Sequence, residues 1–348
     1  MLLTVLLTGC KQLTTKFKLT YQEYNPEYFL AVIETTEQDN RSIIHYYNNE
    51  LILVNTQILP YGTMGNLYYT PVIYNNVVYT IPQGLGNKKD AGIVLGMKLE
   101  TGELEEYKID QLAMNSLAVN NQFIYTSNTL NGISSISQYE ISNGTVKQID
   151  IEDVYISKLY VNAQILYAFG QTKGDNGKLI TYLYTLDQSL TILDKKDISD
   201  HGSGQYKTTL IGNELYFTSS TDSDDNPSNK LSCMSLEGEI TDIILNEQGP
   251  LEIIPYQDKI LISHCNLAQA RGNKLTILDM KNNTQQIIEF EHDLLQMQVK
   301  DNNLYVMDQD HLYIYIIEKD YFTLERQVKI KTTEGEDEYY YISGFFIK

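Results

Sequence analysis

The sequence predicts an all-β chain, a seven-bladed β-propeller of four-stranded antiparallel blades over residues 25–348. Three observations lead there. A strand marker recurs at a period of about 45 residues, a hairpin pattern keeps step with it, and the C-terminus reads as a strand without a blade of its own.

The marker is a short apolar strand led by polar turn residues. It reads Asn75-Asn76-Val77-Val78-Tyr79, Asn120-Asn121-Gln122-Phe123-Ile124-Tyr125 and Asn162-Ala163-Gln164-Ile165-Leu166-Tyr167. Later copies are Gly212-Asn213-Glu214-Leu215-Tyr216, Gln257-Asp258-Lys259-Ile260-Leu261 and Asp301-Asn302-Asn303-Leu304-Tyr305. Asn, Asp and Gly suit a tight turn, and the apolar residues after them suit a buried strand. The markers end at 79, 125, 167, 216, 261 and 305, spaced by 46, 42, 49, 45 and 44 residues, the size of one four-stranded blade. One period ahead of Tyr79 lies Ile33, in the apolar run Tyr28-Phe29-Leu30-Ala31-Val32-Ile33, which makes seven units. No segment sustains the 3.6-residue period of an amphipathic helix.

The second pattern is an alternating strand followed by a polar turn. Examples are Ile93 to Leu99 with Glu100-Thr101-Gly102, Ile133 to Ile141 with Ser142-Asn143-Gly144, and Leu179 to Leu186 with Asp187-Gln188-Ser189. These read as hairpins joining the two outer strands of each blade. The third observation fixes closure. Tyr341-Ile342-Ser343-Gly344-Phe345-Phe346-Ile347 is similar to Tyr155-Ile156-Ser157-Lys158-Leu159-Tyr160-Val161, the innermost strand of the fourth unit. The N-terminal unit lacks an innermost strand, so the tail is expected to complete the first blade and hide the sheet edges.

The strand Asn302-Asn303-Leu304-Tyr305-Val306 and the turn Leu99-Glu100-Thr101-Gly102 resemble the YVTN-like and quinoprotein-like propellers. The resemblance is architectural and implies the fold more than an activity. The WD40, YWTD and quinoprotein docking signatures all require Trp, and the chain has none, so a quinone cofactor is not expected. Sialidase-type Asp boxes are missing too.

The segment Leu7-Thr8-Gly9-Cys10 follows the apolar run Met1–Leu7, which is too short to span a bilayer. It resembles the bacterial lipobox. That resemblance implies a signal peptide over residues 1–10, a diacylglycerol on Cys10, a tether over 11–24, and a chain held at the outer face of a bacterial membrane. Multiple acyl chains would make such an attachment stable.

With 45 Asp and Glu against 26 Lys and Arg, the net charge is −19, which repels phosphate backbones and argues against nucleic acid as a partner. The three cysteines, Cys10, Cys233 and Cys265, are too few for a disulfide scaffold. Cys233 and Cys265 fall in neighbouring units, where a bridge is geometrically open. The preference of Cys for interiors favours two free buried thiols.

Ligands of a propeller meet the face made by the loops after each second strand and the loops between blades. On that face the sequence places His264 and His311 in adjacent units, with Arg41, Arg271, His201 and Tyr206. Arg occurs only at 41, 271 and 326, so two on one face stand out. A His/Arg cluster could bind an anionic sugar or perform acid–base chemistry. Tyr61, Tyr206 and Tyr340 sit by inter-blade loops and could stack on sugars or a peptide. In Thr221-Asp222-Ser223-Asp224-Asp225-Asn226, the alternation of Asp222, Asp224 and Asn226 could wrap Ca²⁺, but Pro227 replaces the turning Gly of an EF-hand. There is no zinc pair, nucleophile elbow or phosphate-cradling loop. Two functions follow. One is a lipid-anchored, monomeric binding module for an extracytoplasmic protein, peptide or glycan. The other is an extracytoplasmic lyase or hydrolase using His264 and His311.

Overall fold

A computed structural model describes residues 27–66, 70–83, 92–333 and 339–348. Cys10, the signal segment 1–10 and the tether 11–24 lie outside the described residues.

The described chain forms seven four-stranded antiparallel sheets. Blade 1 joins Leu30–Thr36, Ser42–Tyr47 and Leu53–Leu59 to the C-terminal strand Tyr340–Ile347. Blades 2 to 7 follow at 72–108, 114–152, 155–197, 208–244, 250–289 and 296–329, each with its strands in chain order from the axis outward. A single 3-10 turn, Ser199–His201, is the only helical element among the described residues.

The expected closure is present. Leu30 pairs with Ile347, Val32 with Phe345 and Thr36 with Tyr340, one residue beyond the segment read from the sequence. Alternation along the strand explains how this one sheet serves two neighbours. Ala31, Ile33 and Phe346 pack toward blade 2, whereas Leu30, Val32, Phe345 and Ile347 pack toward blade 7. The same division repeats around the ring, so the core is a series of apolar layers between adjacent blades.

The polar residues ahead of each marker are explained by backbone geometry. Asn75 and Asn76 have φ of 47° and 61°, and Gly212 and Asp301 take 62° and 54°. Asn, Asp and Gly tolerate this left-handed region best, so they punctuate the turns from first to second strand. At Asn120 a side chain replaces the backbone device: its Oδ1 accepts from the amides of Gln122 and Phe123.

Antiparallel order divides the loops between two faces. Turns from first to second and from third to fourth strand lie on one face. Loops from second to third strand and between blades lie on the other. The first described strand starts on the turn face, where Leu30 is opposite Tyr47 and Ile347.

At the axis, each blade offers an equivalent position four residues ahead of its turn, in or just before the innermost strand: Thr70, Ser116, Lys158, Lys207, Glu252, Gln296 and Gly344. Lys207 Nζ crosses from blade 5 to Thr70 Oγ1 of blade 2 at 2.7 Å and pairs with Glu252 at 3.0 Å. Gly344 sits where a Cβ would come within 2.7 Å of Pro71.

Candidate functional site

On the loop face, blades 5 and 6 part to leave a cleft of about 750 Å³, with Gln171 and Leu179 of blade 4 on its far side. Close backbone approaches shape it. A Cβ on Gly272 would fall 1.8 Å from the His264 carbonyl oxygen, and one on Gly249 would fall 2.5 Å from that of Cys265. Side chains at these two positions would collide with the backbone of His264 and Cys265.

His264, Arg271 and Tyr206 all line this cleft, so three of the six rim residues expected from the sequence come together. His264 is only 3% exposed. Its Nδ1 lies 3.0 Å from the Gln248 carbonyl oxygen, to which it donates, and its Nε2 accepts from Thr276 Oγ1 at 2.7 Å. Burial drives its pKa down to about 4, although the Gln248 carbonyl and Glu247 oppose that shift. Both ring nitrogens are therefore committed to a neutral imidazole, and neither is available to a substrate in the cleft.

Arg271 has no hydrogen-bond or ion-pair partner for its guanidinium among the described residues. The other cation on the wall, Lys274, is held by Glu247 at 2.6 Å. Gln171, Gln248 and Asn266 contribute side-chain amides, and the Gln171 Nε2 donor has no partner among the described residues. Tyr206 supplies a partly buried ring. Cys265 also lines the cleft, buried and free like Cys233, and burial raises its thiol to about 11.

His201, His311 and Arg41 do not line the cleft. His201 Nδ1 meets Asp242 at 2.8 Å, and that carboxylate also holds Lys230. His311 Nδ1 meets Asp310 at 2.7 Å in blade 7. Asp308, Asp310 and His311 are the only His/Cys/Asp/Glu group of three among the described residues with ligand atoms within 4.8 Å of one another. Yet Asp308 already accepts from two backbone amides and from the Tyr313 hydroxyl. Arg41 lies in blade 1 with a buried Nε that has no partner among the described residues. Tyr61 and Tyr340 are buried in the ring, which leaves Tyr206 alone of that trio facing the cleft.

The acidic loop uses its carboxylates internally. Asp222 Oδ1 accepts from the backbone amides of Asp224 and Asn226, and Asp224 pairs with Lys178 at 2.9 Å. The residues read as a cation loop thus form an Asx turn and an inter-blade ion pair.

A second polar site lies at the axis, and the sequence reading did not single it out. Lys158 borders a space of about 30 Å³, together with Thr70, Thr80, Gln83, Asn115 and Ser116. Its ammonium has no hydrogen-bond or ion-pair partner among the described residues. Burial and then the charge of Lys207 lower it to about 8, with Glu252 opposing. The available signal was a charge at one fixed offset from the turn in three innermost strands: Lys158, Lys207 and Glu252.

No protein-family model matches the sequence, and no curated protein matches it. Solved structures do. AztD from Citrobacter koseri is 9% identical with a TM-score of 0.52, over 91% of this chain and 97% of that one. Hsv2 from Kluyveromyces lactis is 11% identical with a TM-score of 0.53, over 86% of this chain and all of that chain (100%). The AfRom2 CNH domain is 10% identical with a TM-score of 0.52, over 80% of this chain and 93% of that one. At such identities the likeness establishes the fold and nothing finer.

Proposed function

We propose that the chain is a binding module that takes a short anionic glycan segment into the cleft between blades 5 and 6. The observation that carries this reading is Arg271, a guanidinium without a partner among the described residues, on a wall that also offers four side-chain amides and the Tyr206 ring, where Glu247 is occupied by Lys274 and Asp225 is the remaining carboxylate. A guanidinium pairs bidentately with a carboxylate, amides serve sugar hydroxyls, and a Tyr face packs on a pyranose ring. The cleft has the size of a small-molecule site. His264 acts as a wall residue in this reading, because its nitrogens are already used.

The test is calorimetric titration with an oligogalacturonate and with a neutral oligosaccharide of equal length. Arg271→Ala should weaken the acidic ligand at least ~10-fold, the scale of one charged hydrogen bond, and leave the neutral one unchanged. Equal affinity of wild type and variant for the acidic ligand would remove the proposal.

Attachment through Cys10 belongs to the same reading. The described chain enters the ring on the turn face at Leu30, the face opposite the loops that form the cleft. Cys10→Ala should release the protein from the bacterial membrane fraction into the soluble one. Retention in the membrane would refute the anchor.

A further inference from the structure

The small space at the axis is lined by groups that can give hydrogen bonds and have nowhere to give them. Thr80 is 6% exposed, and its Oγ1 has no partner among the described residues. Ser116 Oγ accepts from the Leu159 amide at 2.8 Å, which leaves its own proton free. Thr70 Oγ1 accepts from Lys207, which likewise frees its proton. The ammonium of Lys158 adds further donors without a carboxylate against it. The lining amides of Gln83 and Asn115 are already held by the Met114 and Ile156 carbonyls.

Charge points the same way. Lys207 and Glu252 neutralise each other, so Lys158 remains as one uncompensated positive charge. A half-buried ammonium left with a net excess of positive charge around it is costly, and so is a buried hydroxyl without an acceptor. One acceptor-only particle of negative charge answers both needs. A water answers only the second. The space admits a particle of about one to two waters, which suits a halide and excludes sulfate or phosphate.

We propose that the central channel holds one halide-sized anion, bound by Lys158, Thr80, Thr70 and Ser116. The anion ties blades 2, 3 and 4 together at the axis and is independent of the cleft ligand.

The test is thermal unfolding of the full chain in sodium chloride against sodium gluconate at matched ionic strength, with sodium sulfate as a size control. In the wild type, Tm should rise by about 2 °C for each tenfold increase of chloride above its dissociation constant. Sulfate raises Tm by exclusion from the protein surface, and that rise should be the same in the wild type and in Lys158→Met. Lys158→Met keeps the volume and removes the charge, and should abolish the chloride dependence. Thr80→Val changes less and should weaken it even if the Met variant folds poorly. Crystals grown in bromide should show anomalous density within hydrogen-bonding distance of Lys158 Nζ. A wild-type Tm indifferent to chloride, a chloride rise that survives both substitutions, or an axis without bromide would each overturn the proposal.

Discussion

Blades 1 and 6 each bury a histidine, and they hold it in opposite ways. In blade 1, His45 Nε2 lies 2.7 Å from Glu34 Oε2, and the Glu34 side chain is fully buried. Thr333 closes the network through its amide and its hydroxyl, the latter at 3.0 Å. In blade 6, His264 meets only a carbonyl and a hydroxyl. The difference follows from position. Blade 1 is sewn from both ends of the ring-forming chain, and a charged network there links residues 299 apart in sequence. Blade 6 forms the wall of an open cleft, where an uncharged, doubly bonded ring stands beside Arg271, the cation without a partner among the described residues.

The comparison is broken most completely by removing the sewn strand. Deleting residues 340–348 removes Phe345, Phe346 and Ile347, all buried, and bares the edge of Leu30–Thr36. Burial of three such side chains is worth roughly 5–9 kcal/mol, against about 5–15 for a whole domain. The truncated chain should therefore lose cooperative unfolding altogether, as followed by circular dichroism on heating. A melting temperature equal to that of the intact chain would mean that blade 1 does not depend on its C-terminal strand.

Closure was legible because local chemistry and global topology agree there. The repeat Ile-Ser-x-x-aromatic is shared by 156–160 and 342–346, and both copies carry a register shift at the serine, Ser157 and Ser343. The turn residues were legible for the same reason, since Asn75, Asn76 and Asp301 carry the φ values that select their types. The cleft was only partly legible. Loop order placed His264, Arg271 and Tyr206 on one face, but which seam opens depends on approaches such as Gly272 to His264, between residues of neighbouring strands. The spacing of Asp222, Asp224 and Asn226 fits a cation loop and an Asx turn equally, and the structure shows the turn. Lys158 read as one strand residue among many, because its meaning depends on the axis it shares with Lys207 and Glu252.

The smaller prediction separates the two blades by pH. His264 has an ordinary pKa of 6.5 when unfolded and about 4 when folded, because burial disfavours the charged ring. Between these values the unfolded chain binds a proton that the folded chain does not, so stability falls as pH falls through that window. The loss amounts to about 3 kcal/mol, taken at 1.36 kcal/mol per pKa unit. Glu34 behaves differently. Burial alone would raise its carboxyl, but hydrogen bonds from His45 and Thr333 outweigh that and hold it below the ordinary Glu value of 4.5. Its contribution therefore persists across most of the His264 window and is lost only as pH falls below 4.5 toward its lowered pKa. Urea midpoints of the wild type and of His264→Gln, measured from pH 7 to pH 4, isolate the histidine because the other titrating groups are common to both. The wild type should be the more stable at pH 7, and its advantage should shrink steadily from pH 6.5 downward. Parallel pH profiles for the two proteins would show that His264 takes up its proton without cost, and the contrast between a charged seam and a neutral wall would fail at blade 6.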